Sequence, residues 1–81
     1  MTPEQYMTQA LELAQKALET GDVPVGCVIV DESGAILGEG RNRREEASSA
    51  VAHAEVEAIR QSCAAMNDWR LEGCTMYVTL E

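Results

Sequence analysis

Tyr6, Met7, Ala10, Leu11, Ala14, Ala17 and Leu18 recur at helical spacing and mark one apolar face. The stretch before them, Thr2-Pro3-Glu4-Gln5, is a helix-start signal: Thr as N-cap, Pro at the first position, Gln three residues after the cap. Gly21 supplies the stop. A first helix is predicted over about Pro3 to Thr20. The period then changes. Pro24 to Val30, "PVGCVIV", is a continuous apolar, β-branched run, the pattern of a strand buried on both faces. Asp31 to Gly34, "DESG", is a turn, and Ala35 to Gly40, "AILGEG", is a second strand weakened by its glycines. The two strands form an antiparallel hairpin.

"RNRREEASSA" follows as a polar loop in which Ser48 or Ser49 caps the next element. From Ala52 the apolar positions Ala52, Val56, Ile59, Cys63 and Met66 step by four and three, which predicts a second helix with that stripe on the core. "NDWRLEG" is a loop, and Cys74 to Leu80, "CTMYVTL", is a third strand. The order helix, strand, strand, helix, strand implies a layered α/β domain with helices packed on a sheet. It is a single unit over residues 1–81. The sequence stops on the end of a strand, and this is read as the N-terminal portion of a larger domain.

Composition narrows the function classes. The formal net charge is −8, so the chain alone is a poor nucleic-acid binder, although three of its six basic residues fall within Arg41 to Arg44. No apolar run reaches transmembrane length, and "MTPEQYMTQA" does not read as a signal peptide. Three cysteines, Cys27, Cys63 and Cys74, make an odd number. Free thiols and a reducing, cytoplasmic setting are expected.

The candidate chemistry lies in the second helix. His53 is the only histidine of the chain, and Glu55 stands two residues on. With the apolar stripe as centre, Glu55 lies ~60° away and leans inward, while His53 lies ~100° away on the other flank. For each alone, a satisfied polar residue near a helix start is the simpler account. An inward acid beside a histidine raises the odds of a site. The two differ by ~200° and meet one metal only off the N-terminal end of the helix, toward which side chains lean. H-x-E is the first half of the zinc-deaminase signature H-x-E, then P-C-x-x-C, in which His and two Cys hold zinc and Glu carries protons.

The wider sequence makes this specific. "DVPVGCVIV", "GEGRNRR", "AHAEVEAI" and "WRLEGCTMYVTLE" resemble the bacterial tRNA-specific adenosine deaminases, within the cytidine/deoxycytidylate deaminase superfamily. The resemblance runs through nearly the whole chain. It implies a cytidine-deaminase-like fold, Zn²⁺ as cofactor, His53 as a zinc ligand and Glu55 as the catalytic acid/base. It implies substrate contacts from Asn42, the backbone of Ala54, and the Val25-Gly26 part of the first strand. It also implies a homodimer acting on the tRNA anticodon loop, converting adenosine to inosine at the wobble position. "SAV", Ser49 to Val51, stands where the family often has Asp-Pro-Thr, and Cys27 stands at a common alanine position. Two alternatives remain open at this point: deamination of a small nucleobase or nucleoside (cytosine, cytidine, guanine), or a truncated, inactive fragment. Zinc of this kind needs three protein ligands, and His53 is one. Cys27, Cys63 and Cys74 lack ligand spacing; Cys63, Trp69 and Tyr77 read as packing residues.

Overall fold

The computed structural model describes residues 1–42, 50–67 and 70–79. The expected cap at Ser48 or Ser49, the cations Arg43 and Arg44, Trp69 and the last residue of the expected third strand, Leu80, lie outside the described residues. The elements follow the predicted order: α1 (Pro3–Glu19), β1 (Gly26–Val30), β2 (Ile36–Arg41), α2 (Ala50–Met66) and β3 (Thr75–Val78).

Local chemistry accounts for the ends of α1. Thr2 Oγ1 accepts from Gln5 N at 3.2 Å, and Thr2 N donates back to Gln5 Oε1 at 2.7 Å. This is a capping box with Pro3 behind it, as the sequence indicates. At the other end Gly21 takes φ 82°, a conformation that suits glycine. That turn lets Gly21 N and Asp22 N close onto the carbonyls of Leu18 and Ala17.

The sheet order is β2-β1-β3, with β1 antiparallel to both neighbours. The central strand is buried along its whole length, as its unbroken apolar run requires. Alternation divides its side chains between two layers. Val25, Cys27 and Ile29 pack with Ala54 and Ala58 of α2, while Val28 and Val30 pack with Tyr6 and Ala10 of α1. The register carries the division outward: Gly40 pairs with Cys27 and Gly38 with Ile29 on the α2 side, and Tyr77 pairs with Val28 on the α1 side. The ring of Tyr77 stacks on Tyr6 at 5.2 Å between centroids. Tyr6 also donates its hydroxyl to Gly34 O at 2.6 Å, which ties α1 to the hairpin turn. In that turn Asp31 accepts from the Ser33 hydroxyl, Ser33 N and Ala35 N. These bonds, the Ser33 hydroxyl first, hold its carboxyl below the usual range.

Two expectations about faces are corrected. In α1, Tyr6, Ala10, Ala14 and Ala17 are buried, but Leu11 and Leu18 are more than half exposed. In α2 the predicted core stripe is on the outside: Val56 is 46% exposed, Ile59 38% and Met66 38%. Ala52 is exposed and Cys63 is only half-buried. The buried residues are Ala54, Ala58 and Ser62, a face turned by about 120° at 100° per residue. The cause is on β2. A Cβ at Gly38 would overlap Ala58 O, and one at Gly40 would overlap Ala54 O. The backbones of helix and strand touch, and only small residues fit the seam. The glycines that weaken β2 as a strand sequence are what this contact requires.

Candidate active site

The first residues of β1, the last of β2 and β3, and the first turns of α2 converge at one end of the sheet. The pairs Gly26 with Arg41 and Cys27 with Val78 bring the three strand ends together. Gly40 lies against Ala54, which brings α2 to the same place. Asn42 is fully buried. It donates its backbone N–H to Val25 O at 3.0 Å and its side-chain Nδ2 to Val23 O at 3.0 Å. The end of β2 is thereby pinned to the start of β1.

α2 begins at Ala50, two residues before the position its apolar stripe suggests. His53 and Glu55 are therefore in its first and second turns, and the first turn holds no acidic residue. The account of Glu55 as a first-turn carboxylate matched to the macrodipole does not apply. Both side chains are half-buried, and Ala54 between them is sealed against β2. Glu55 still leans inward, but for a different reason. It lies about 60° from the true buried face, on the side toward the apolar stripe, at 100° per residue. Cys27, also fully buried, feels its charge. Burial, and then that charge, push the Cys27 thiol up to about 12.

Among the candidate substrate residues, the structure brings Asn42, Val25 and Ala54 together. Val25 and Ala54 share one cluster, and Asn42 is bonded to Val25. Gly26 faces the other way. A Cβ there would overlap Ala10 O and stand 2.8 Å from Ala14 N, both in α1. Its N–H and C=O are taken by Thr79, whose Oγ1 accepts at 2.9 Å and whose N donates at 2.9 Å. Thr79, nearly buried, was not singled out in the sequence. Its hydroxyl replaces a strand hydrogen bond and closes β3 onto β1 beside Asn42. Nor did Gly40 stand out, although glycine at alternate positions of a strand is itself a sign of close backbone approach.

No group of three His, Cys, Asp or Glu among the described residues is placed to hold a metal. Cys27 is fully buried in β1, packed with Val25, Ile29, Ala54 and Ala58. Cys74 precedes Thr75 at the far end of β3, and Cys63 is ten residues along α2, ~15 Å from His53. Among the described residues, then, His53 has no two further donors placed with it, and these residues do not complete a three-ligand site. A separate groove lined by Asp31, Glu32, Ser33, Met66, Arg70 and Glu72 opens at the opposite end of the sheet. No helix among the described residues is long and apolar enough to cross a membrane.

Comparison with known proteins places the fold and the family. The tRNA-specific adenosine deaminase of Bacillus subtilis (strain 168) is 47% identical over 78 residues, spanning 96% of this chain and 48% of that protein. Its counterpart in Aquifex aeolicus is 46% identical over 81 residues, all of this chain and 53% of that one. The chain spans about half the length of these curated relatives. Among solved structures, guanine deaminase from Bacillus subtilis superposes with a TM-score of 0.81 at 37% identity, covering 96% of this chain and 50% of that one. A structure from a study of tRNA:A34 deaminases acting at the wobble position of transfer RNA gives 0.79 at 38% identity, covering 94% and 58%. Residues 1–81 match a single family throughout, and the chain belongs to it: the cytidine and deoxycytidylate deaminase zinc-binding region.

Proposed function

We propose that this chain supplies the acid/base half of a hydrolytic deaminase that converts adenosine to inosine at the wobble position of tRNA. The observation that carries the reading is the half-buried Glu55, two residues from His53 and at the same sheet end as buried Asn42. The identity to tRNA-specific adenosine deaminases supports the choice of substrate.

Each residue has a part. Asn42, held rigid by Val23 and Val25, orients the base, and the wall formed by Val25 and the backbone of Ala54 limits its shape. Glu55 takes a proton from the attacking water, delivers it to the ring nitrogen, and later protonates the departing amine. Water adds at C6 of adenine, the C–N bond breaks, and ammonia leaves. His53 would be one of the ligands holding zinc. Zinc, when bound, supplies a water whose pKa falls from 15.7 to roughly 7. The free thiols fit a cytoplasmic enzyme, and the family resemblance fits a homodimer.

A second reading, deamination of a small free base, is favoured by the superposition on guanine deaminase. The whole gene product should be incubated with a tRNA anticodon stem-loop, and separately with cytidine, cytosine and guanine. Inosine in the RNA alone is expected. Turnover of a free base without RNA editing selects the second reading, and no product from any substrate rejects both.

A further inference from the structure

Gly40 is the point at which the site is seated on the sheet. Its φ is not among the positive ones, so the backbone does not demand glycine there. What the position demands is the absence of a side chain. A Cβ would overlap Ala54 O and stand 2.9 Å from both Ala54 C and Ala58 N. All three are main-chain atoms of α2, so no rotamer change relieves the contact and the helix turn itself must move. Ala54 lies between His53 and Glu55, and Gly40 lies two residues before Asn42. The contact therefore lies between the strand end that carries Asn42 and the helix turn that carries His53 and Glu55.

Resting on the deaminase reading above, we propose that Gly40 is a positioning residue for the reaction. By letting the Ala54 carbonyl rest on the β2 backbone, it fixes the depth of α2 and hence the separation of Glu55 from Asn42. Gly38 is its internal control. A Cβ at Gly38 would overlap Ala58 O and stand 2.5 Å from Ser62 Oγ, further along the helix and away from Glu55. Both glycines seat the helix, but only Gly40 does so beneath the reacting groups.

The test uses the whole gene product with Gly40→Ala and Gly38→Ala. Crystal structures and separate kcat and KM values are obtained, with each variant assayed equally far below its own Tm. Gly40→Ala should move the first two turns of α2 away from Asn42 and lower kcat by about 100-fold, the effect of a misplacement of about 1 Å. Gly38→Ala should lose comparable Tm and keep kcat near the wild-type value. Equal kcat losses in the two variants, or an unchanged kcat in Gly40→Ala, overturn the proposal. If Gly40→Ala does not fold, Ala54→Gly against Ala58→Gly replaces the pair. Without the Ala54 methyl, which packs with Val25, Cys27 and Ile29, the turn that rests on Gly40 is looser; this should lower kcat where the same change at Ala58 does not, and equal values overturn the proposal. If the wild-type protein deaminates nothing, the functional reading has failed, and the structures alone decide. A lengthened Asn42–Glu55 separation upholds the positioning role, and an unchanged one removes it.

Discussion

α1 and α2 are the same length, 17 residues each, and lie on opposite faces of one sheet, yet they meet it differently. α1 combines a large anchor with small residues. Tyr6 stacks on Tyr77 and reaches Gly34, while Ala10 and Ala14 close on Gly26 at the far end. α2 has no such anchor in its seam. Ala54, Ala58 and Ser62 meet Gly38 and Gly40, and the large apolar residues are turned outward. Ser62 satisfies its own hydroxyl by donating to Ala58 O at 2.9 Å. Outside the seam, Gln61 Oε1 accepts from Glu39 N at 3.0 Å and ties the helix to the sheet edge. The difference matters for function. α1 adds a side-chain anchor, which tolerates rotamer adjustment, to its one backbone contact at Gly26, whereas the α2 seam rests on backbone contacts at two glycines that hold the helix at one depth, and this is the helix that carries His53 and Glu55.

The contrast can be broken most strongly in the α2 seam. Ala58→Leu places a branched side chain where the backbones touch and should cost about 3 kcal/mol or more in urea unfolding, at or beyond the upper range for overpacking. On the α1 side, Tyr6→Phe deletes one hydrogen bond but keeps the ring stack, and should cost about 1 kcal/mol by the same measurement. A pH series sharpens the picture at Cys27, beneath Glu55. Its folded pKa, pushed up to about 12, exceeds the ordinary 9.0. Stability from the protonated thiol is complete below pH 9 and falls between pH 9 and 12, where the unfolded chain ionises first. Cys27→Ala should flatten that part of the urea-midpoint profile. The smallest effect belongs to the outward stripe: Ile59→Ser should change the stability of residues 1–81 by no more than about 0.5 kcal/mol. A cost comparable to that of Ala58→Leu would return the stripe to the core.

These same contacts explain what the sequence disclosed. The five elements and their order were legible, because period and punctuation change sharply at Gly21, Pro24 and Gly34. The α1 face was legible in part: Tyr6 and the alanines in phase with it are buried, but Leu11 and Leu18, read onto the same face, are exposed. The α2 face was not, since alanine fits either side and hydropathy favoured Val56, Ile59 and Met66. Where backbones touch, size selects the buried residue and hydropathy does not. His53 and Glu55 stood out by residue type and spacing, and Asn42 by resemblance. Thr79 and Gly40 carry no chemistry of their own, and only the fold shows what they hold in place.

The most direct test is Glu55→Ala in the whole gene product, with bound zinc and inosine formation on the anticodon stem-loop measured on the same sample. Zinc at the wild-type stoichiometry with turnover reduced by about 100-fold or more is the predicted result, the scale of a lost general acid/base. Loss of zinc, or turnover close to wild type, would contradict the role assigned to Glu55.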